Sequence, residues 1–189
     1  MNAIIASDIH GSATAFAELE KQIEMLGADK LVLLGDILYH GPRNDLPKGY
    51  APKALIARLN AYAAIITCVR GNCDAEVDQM VLDFPIMSEY SQTEINGHAF
   101  FLAHGHRPKQ TESDLPHLPA KTIFASGHTH KKRLDIVNNP VDDPIVVLNP
   151  GSTSIPKDGI ASFAFLEGDE LSLRALDGRV LKTLDLNTL

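Results

Sequence analysis

Short aliphatic runs that break off at glycine beside an acid, an amide or an imidazole recur along this chain. Leu31-Val32-Leu33-Leu34 leads into Gly35-Asp36, and Ile4-Ile5-Ala6-Ser7 into Asp8-Ile9-His10-Gly11. Ile65 to Val69 meets Arg70-Gly71-Asn72-Cys73-Asp74, Phe100 to Ala103 meets His104-Gly105-His106, and Ile123 to Ser126 meets Gly127-His128-Thr129-His130. Apolar runs of this length, bounded by turn residues, read as buried strands. In open α/β sheets ligands sit outside the carboxyl ends of the strands, so these polar endings are where chemistry is expected.

Between the runs the period changes. Ser12 is placed to cap a helix in which Phe16, Leu19, Ile23 and Leu26 recur at helical spacing until Gly27. A strand from Lys30 to Leu34 follows, then the Pro- and Gly-rich stretch Gly41 to Tyr50, which reads as a long loop at the edge of a site. A second helix is expected from Pro52 to Ala61, leading to a strand from Ile65 to Val69. From about Tyr90 the pattern is strand-like, with Asn96-Gly97 as a hairpin turn. Pro108 to Pro119 reads as an irregular loop. Thr122 to Ser126 and Leu134 to Val137 flank the Gly127 to His130 turn, and Ile145 to Leu148 ends in Asn149-Pro150-Gly151-Ser152. The tail reads as a meander with turns at Gly168-Asp169 and Asp177-Gly178. A βα first half and an all-strand second half predict an α/β fold of two packed sheets with helices on the outer faces, one domain spanning residues 1–189.

Composition narrows the partners. With 44% hydrophobic residues in 189, one core can hold all five endings around a single site. A formal net charge of -7 argues against a broad nucleic-acid surface, which needs clustered Lys and Arg. Two cysteines, Cys68 and Cys73, match neither a disulfide framework nor a zinc ribbon. No run approaches membrane length, and the first apolar run meets Asp8 too soon for a signal peptide. A soluble cytoplasmic protein is expected, and a homo-oligomer is compatible with it.

Each ending alone has a structural explanation, since Asp and Asn after a strand cap helices and a lone His is often a hydrogen-bonded structural group. Five together, with His128 and His130 two residues apart, make a metal site the better account. Asp8, His10, Asp36, Asn72, His104, His128 and His130 are seven donors. That is too many for one tetrahedral ion and suited to two ions sharing a carboxylate, for which Asp36 is the candidate. Mixed oxygen and imidazole donors point to Mn²⁺ first, with Zn²⁺ or Fe also suited. No Gly-x-Ser-x-Gly elbow, P-loop or Gly-x-Gly-x-x-Gly fingerprint competes.

Asp8-x-His10, Gly35-Asp36-x4-Gly41, Gly71-Asn72-x-Asp74, His104 and Gly127-His128-x-His130, in this order, closely resemble the calcineurin-like metallophosphoesterases. The Asn149-Pro150-Gly151-Ser152 ending, the loop His40-Gly41-Pro42-Arg43-Asn44 and the chain length resemble their small single-domain bacterial phosphodiesterase branch. The resemblance implies a four-layer α/β/β/α sandwich, one ion on Asp8, His10, Asp36 and His130, and a second on Asp36, Asn72, His104 and His128. It implies hydrolysis of a small phosphoester by a hydroxide bridging the two ions. Cys73 departs from the family pattern, where many relatives carry histidine, and this favours diesters with good leaving groups over monoesters. Asn72, Cys73 and Asp74 are the expected catalytic positions. Arg43, Asn72 and His106 are expected on the substrate, whereas His40, His98 and His117 read as surface or loop residues. The alternatives are a phosphomonoesterase and a non-catalytic scaffold of the same fold.

Overall fold

The structure, a computed structural model, describes residues 1–107 and 115–189. Residues 108–114, most of the irregular loop expected from Pro108 to Pro119, lie outside the described residues. β1 (Asn2–Ala6) leads to α1 (Ala13–Met25), whose Ser12 cap accepts from the Ala15 N–H at 3.1 Å and donates to the Lys48 carbonyl at 2.6 Å. That second bond ties the helix start to the long loop. β2 (Lys30–Leu33) and α2 (Pro52–Ala61, with Pro52 leading) follow as expected. The next strand is shorter than its apolar pattern suggests. Residues 63–65 form a 3₁₀ turn closed by Ile65 N–H to Tyr62 carbonyl at 2.9 Å, and β3 spans only Ile66–Cys68. The tight turn off α2 takes up the first residue of the run. A one-turn helix, α3 (Glu76–Gln79), has no signal in the apolar pattern and begins where the Asp78 carboxylate accepts from the Ala75 N–H.

The remaining strands are β4 (Tyr90–Ile95), β5 (His98–Ala103), β6 (Ile123–Ala125), β7 (Lys132–Asn138), β8 (Pro144–Pro150), β9 (Ser162–Glu167), β10 (Glu170–Ala175) and β11 (Val180–Asp185). Asn96 and Gly97 take φ of 53° and 80°, the left-handed pair that a two-residue hairpin turn requires. The all-strand half divides between the sheets. Its last three strands complete the first, in the order β11-β10-β9-β1-β2-β3, and the second runs β4-β5-β6-β8-β7. β9 lies antiparallel to β1, whereas β1, β2 and β3 run parallel to one another, as do β5, β6 and β8.

The two sheets face each other across a core that includes Ile5, Val32, Leu102, Ile123, Leu148 and Leu166. Phe16, Leu19, Leu55 and Leu59 of the helices cover the outer face of the first sheet. Among the described residues, Leu115 and Leu118 pack on the outer face of the second, over Phe101, Phe124 and Val147. This is the α/β architecture of two packed sheets flanked by few helices. The parallel strands of both sheets deliver their carboxyl ends to one edge, which is what gathers the polar endings.

Leu166 is fully buried on β9, the strand joining the C-terminal meander to β1. Leu166→Ala is expected to lower the unfolding free energy by about 2–5 kcal/mol through the cavity it leaves. The readout is a lower urea midpoint at unchanged slope; an unchanged midpoint would mean that the sheets do not depend on this contact.

Candidate metal centre

The candidate ligands leave the strand ends in an unusual backbone conformation. Among the described residues, eight non-glycine residues have positive φ, and five of them are Asp8, His10, Asp36, His128 and His130, with φ between 49° and 65°. Asp and His tolerate this region better than most residues, yet each instance is held only because the surroundings over-determine it. Those surroundings are backbone hydrogen bonds between neighbouring strand ends: Asp8 N–H to Gly35 carbonyl, 3.1 Å, and His10 N–H to Asp36 carbonyl, 2.9 Å. Close backbone approach completes the frame. A Cβ on Gly71 would stand 2.1 Å from Asp36 Oδ1, and one on Gly127 would stand 1.8 Å from Ser7 Oγ. Only glycine lets these chains pass.

Three imidazoles are locked in tautomer and orientation by carbonyls, which can only accept. His10 Nδ1–H donates to Tyr39 (2.8 Å), His104 Nδ1–H to Leu34 (2.6 Å) and His130 Nδ1–H to Ile155 (2.9 Å). Each Nε2 therefore points inward. His10 Nε2 and His130 Nε2 lie 3.2 Å apart, and they are 3.5 and 3.2 Å from Asp8 Oδ1. Asp36 Oδ2 is 3.7 Å from His10 Nε2 and 3.4 Å from His104 Nε2, and His104 Nε2 is 3.1 Å from Asn72 Oδ1. The other carboxylate oxygens are spoken for: Asp8 Oδ2 accepts from the His128 N–H and Asp36 Oδ1 from the Cys73 N–H.

Asp8 Oδ1 is buried and has no hydrogen-bond donor. Two inward lone pairs facing each other beside an undonated carboxylate oxygen form a set of acceptors that a cation satisfies. The residues therefore fit divalent ions. Among the described residues, Asp8–His10–His130, Asp8–Asp36–His104 and His10–Asp36–Cys73 each place ligand atoms within 4.8 Å of one another. His128 stands further out, its ring centroid 5.1 Å from that of His104.

The electrostatics follow from two acids buried together. Burial alone would raise Asp8, but the close His10, His130 and His104 imidazoles outweigh this and hold its carboxyl far below the usual range. Burial would likewise raise Asp36, and the His104 contact draws it down instead. In return His104, although burial disfavours its charge, is drawn up to about 9 by Asp36 and Asp8. His128 falls to about 4, through burial and the positive charge of His104. The carboxylates that attract a proton to His104 attract metal cations for the same reason.

The other expected residues are sorted by geometry. Asn72 is exposed, and its amide Nδ2 donates to Cys73 Sγ at 3.2 Å. Cys73 is half-buried at the cleft wall, and burial and the Asp36 carboxylate push its thiol well up, so it presents a neutral S–H. Asp74, expected among the catalytic residues, sits 3% exposed, away from the cleft lining. Its carboxylate accepts from the N–H groups of Asp36 (2.9 Å), Ile37 (2.9 Å) and Gly71 (2.7 Å), so it positions the Asp36 turn. Arg43 lines the cleft from the long loop. His106 does not line it; its ring packs 5.4 Å from that of His104 and 6.1 Å from that of His128. His98 pairs with Asp169, and His40 packs between the rings of Tyr39 and Tyr50.

Several contributors went unassigned at the sequence level. Ser152 Oγ and Ser154 Oγ donate to the Asp8 carbonyl at 2.7 and 3.0 Å, and Asn149 Nδ2 donates to the Gly127 carbonyl at 2.7 Å. The Asn-Pro-Gly-Ser ending marked this segment, but nothing in it says what it holds. Lys131 and Lys157, which line the cleft, carry no periodic or motif signal at all.

Residues 1–170 match the calcineurin-like phosphoesterase superfamily domain. The phosphodiesterase YfcE of Escherichia coli K12 is 44% identical over 178 residues, covering 94% of this chain and 93% of that protein. The solved structure of the Escherichia coli phosphoesterase Yfce superposes with a TM-score of 0.92 at 42% identity, covering 99% of this chain and 100% of that one. A vacuolar protein sorting 29 structure from Cryptosporidium parvum, at 16% identity and TM-score 0.62, covering 97% of each chain, shares the fold alone.

Asp74→Asn would place an amide N–H₂ against backbone N–H donors. A buried donor left unsatisfied costs about 1–3 kcal/mol, and loss of a partner that orients a ligand typically weakens metal affinity roughly 10–100-fold. Calorimetric titration with Mn²⁺ is expected to show that loss, and unchanged affinity would remove Asp74 from the support of Asp36.

Proposed function

Because the chain belongs to the calcineurin-like phosphoesterase superfamily, we propose that its cleft hydrolyses phosphodiester bonds with two divalent ions held by the seven donors around Asp8 and Asp36. The observation that carries this reading is the convergence of carbonyl-locked Nε2 atoms on two buried carboxylates, one with an undonated oxygen. Asp8, His10, Asp36 and His130 would hold one ion, and Asp36, Asn72, His104 and His128 the other. Asp36 Oδ2, between the His10 and His104 nitrogens, suits the shared role. Mixed oxygen and nitrogen donors favour Mn²⁺, with Zn²⁺ or Fe compatible. When bound, the ions supply Lewis acidity to the phosphoryl oxygens and lower the pKa of a water towards about 7.

The chain's own groups do the rest. Asn72, exposed at the cleft with its Nδ2 free to turn from Cys73 Sγ, donates to a phosphate oxygen and helps to orient it. Arg43 contributes a planar donor fork from the long loop, a geometry suited to phosphate oxygens. Asp74 keeps Asp36 in register through three backbone N–H groups. Where an imidazolium would donate a proton to the leaving oxygen, Cys73 offers a thiol, a weaker acid by about two pK units in reference values. Substrates whose leaving alcohol is already acidic are favoured, and diesters over monoesters. Two free cysteines suit a reducing cytoplasm, and among the described residues no helix is long and apolar enough to cross a membrane.

Purified protein stripped with a chelator is expected to lose cleavage of a bis-aryl phosphodiester and regain it with Mn²⁺. Asp36→Asn is expected to abolish turnover and lower the metal content. Full two-ion occupancy with near-normal activity in that variant would defeat the reading.

Cys73→His is expected to change selectivity rather than metal loading. General-acid assistance is worth about a hundred- to ten-thousandfold when well placed, and an acidic phenol needs little of it. The kcat/KM for alkyl or monoester substrates should therefore rise relative to aryl diesters, with Cys73→Ala as the packing control. The same ratio in all three proteins would reduce Cys73 to a space-filling role.

A further inference from the structure

The cleft is larger and more cationic than the hydrolysis of one phosphate group requires. Its volume of about 570 Å³ falls within the roughly 300–1,000 Å³ that accommodates a whole small-molecule ligand. Arg43, Lys131 and Lys157 line it, and the only carboxylate in the lining is Asp36, already engaged in the ligand set. In a chain of formal net charge -7 this is a local reversal of sign. Apart from the ligand imidazoles the lining has no aromatic ring, so it offers no platform for stacking a base or an aryl group.

The two lysines are tied to the ligand set by the backbone. Lys131 directly follows His130, and its N–H donates to Thr129 Oγ1 at 3.3 Å. The Lys157 N–H donates to the His130 carbonyl at 2.9 Å, while the His130 ring donates to the Ile155 carbonyl in the same segment. Neighbouring Lys132 makes the contrast: its ammonium is neutralised by Asp158, also hydrogen-bonds the Ile160 carbonyl, and does not line the cleft. Among the described residues, neither Lys131, Lys157 nor Arg43 pairs with a carboxylate. Three uncompensated cations beside a phosphate-hydrolysing centre suit a second strongly anionic group on the same substrate. A phosphate monoester, carrying about -1.5 to -2 at pH 7, is that kind of group.

We propose that Lys131 and Lys157, beside the Arg43 fork, form a subsite for a phosphate monoester carried on one arm of the scissile phosphodiester. The proposal rests on the phosphodiesterase reading and narrows it: the substrate class is a small phosphodiester whose non-leaving arm bears a second phosphoryl group. Binding that remote group holds the reacting phosphorus in place, so its energy appears in the transition state as well as in the ground state.

The Mn²⁺-loaded protein is assayed with two aryl phosphodiesters that share one leaving phenol. One carries a neutral propyl arm, and the other a propyl arm ending in phosphate. The wild type is expected to favour the phosphorylated arm at least tenfold in kcat/KM, with the preference shrinking as salt is raised. Lys131→Gln/Lys157→Gln is expected to bring the ratio close to one, and Lys131→Arg/Lys157→Arg to restore most of it. Calorimetry with 1,3-propanediol bisphosphate and with propyl phosphate gives a readout independent of turnover: the bisphosphate should bind at least tenfold tighter to the wild type and no tighter to the Gln variant. Equal affinities in the wild type, or a ratio unmoved by the Gln pair, would overturn the subsite. A retained binding ratio without cleavage of either diester would instead sink the phosphodiesterase reading and leave the subsite standing.

Discussion

Two carboxylates, Asp8 and Asp36, share a pocket nearly closed to water, at 0% and 2% exposure. Like charges desolvated together cost several kcal/mol per ion unless opposite charge and hydrogen bonds compensate them. Most of the surrounding architecture supplies that compensation. Backbone N–H groups of Cys73 and His128 take one oxygen of each acid, and three imidazoles turn a nitrogen towards the others. The carbonyls behind His10, His104 and His130 fix those rings, so the pocket does not spend side-chain entropy when it closes on an ion. A third acid, Asp74, lies one layer back. Burial holds its carboxyl above the usual range although three N–H donors oppose this, and those donors make it the acceptor that organises the Asp36 turn.

That arrangement is demanding on the backbone. Five candidate ligands sit at positive φ, at a cost of order 1–3 kcal/mol where such strain is unrelieved. It is tolerated because the strand ends carrying them are pinned by a fully buried core between the sheets. Stability and chemistry are thus separated in space. The aliphatic runs behind the edge hold the fold, and the edge itself carries strain, buried charge and close glycine contacts that no stable loop would need for its own sake.

The polar endings were legible because each is a short departure from an apolar run, and the parallel order of β1, β2 and β3 follows from βα alternation, whereas that of β5, β6 and β8 has no such signal. Ser12, Pro52 and Asn96-Gly97 were readable for the same reason: capping, a fixed φ and a left-handed turn are local properties. Asp74 was visible within its motif but its direction was not, since a side chain's neighbours depend on where a second strand passes. The partner of the C-terminal meander was hidden likewise. Turn residues announce a hairpin, yet nothing in Ser162 to Glu167 says that it pairs with Asn2 to Ile5. Lys131 and Lys157 had no signal because exposed lysines occur everywhere, and hydrogen bonds between their segments, among them Lys157 N–H to the His130 carbonyl, bring them together.

The serine clamp on Asp8 bears on how the molecule comes to exist. Ser152 and Ser154 grip the carbonyl of a residue 144 and 146 positions earlier, and β9, later still, flanks β1. Ribosomes deliver chains from the N-terminus at roughly 5–20 residues per second. Asp8, the first candidate ligand to emerge, therefore waits several seconds, unpositioned, for the last of its supports. A nascent or prematurely terminated chain displays the same acids and imidazoles without the frame that aims them. Assembly of the candidate ligand set thus becomes a late event in biogenesis, reserved for polypeptides whose synthesis has run well past His130.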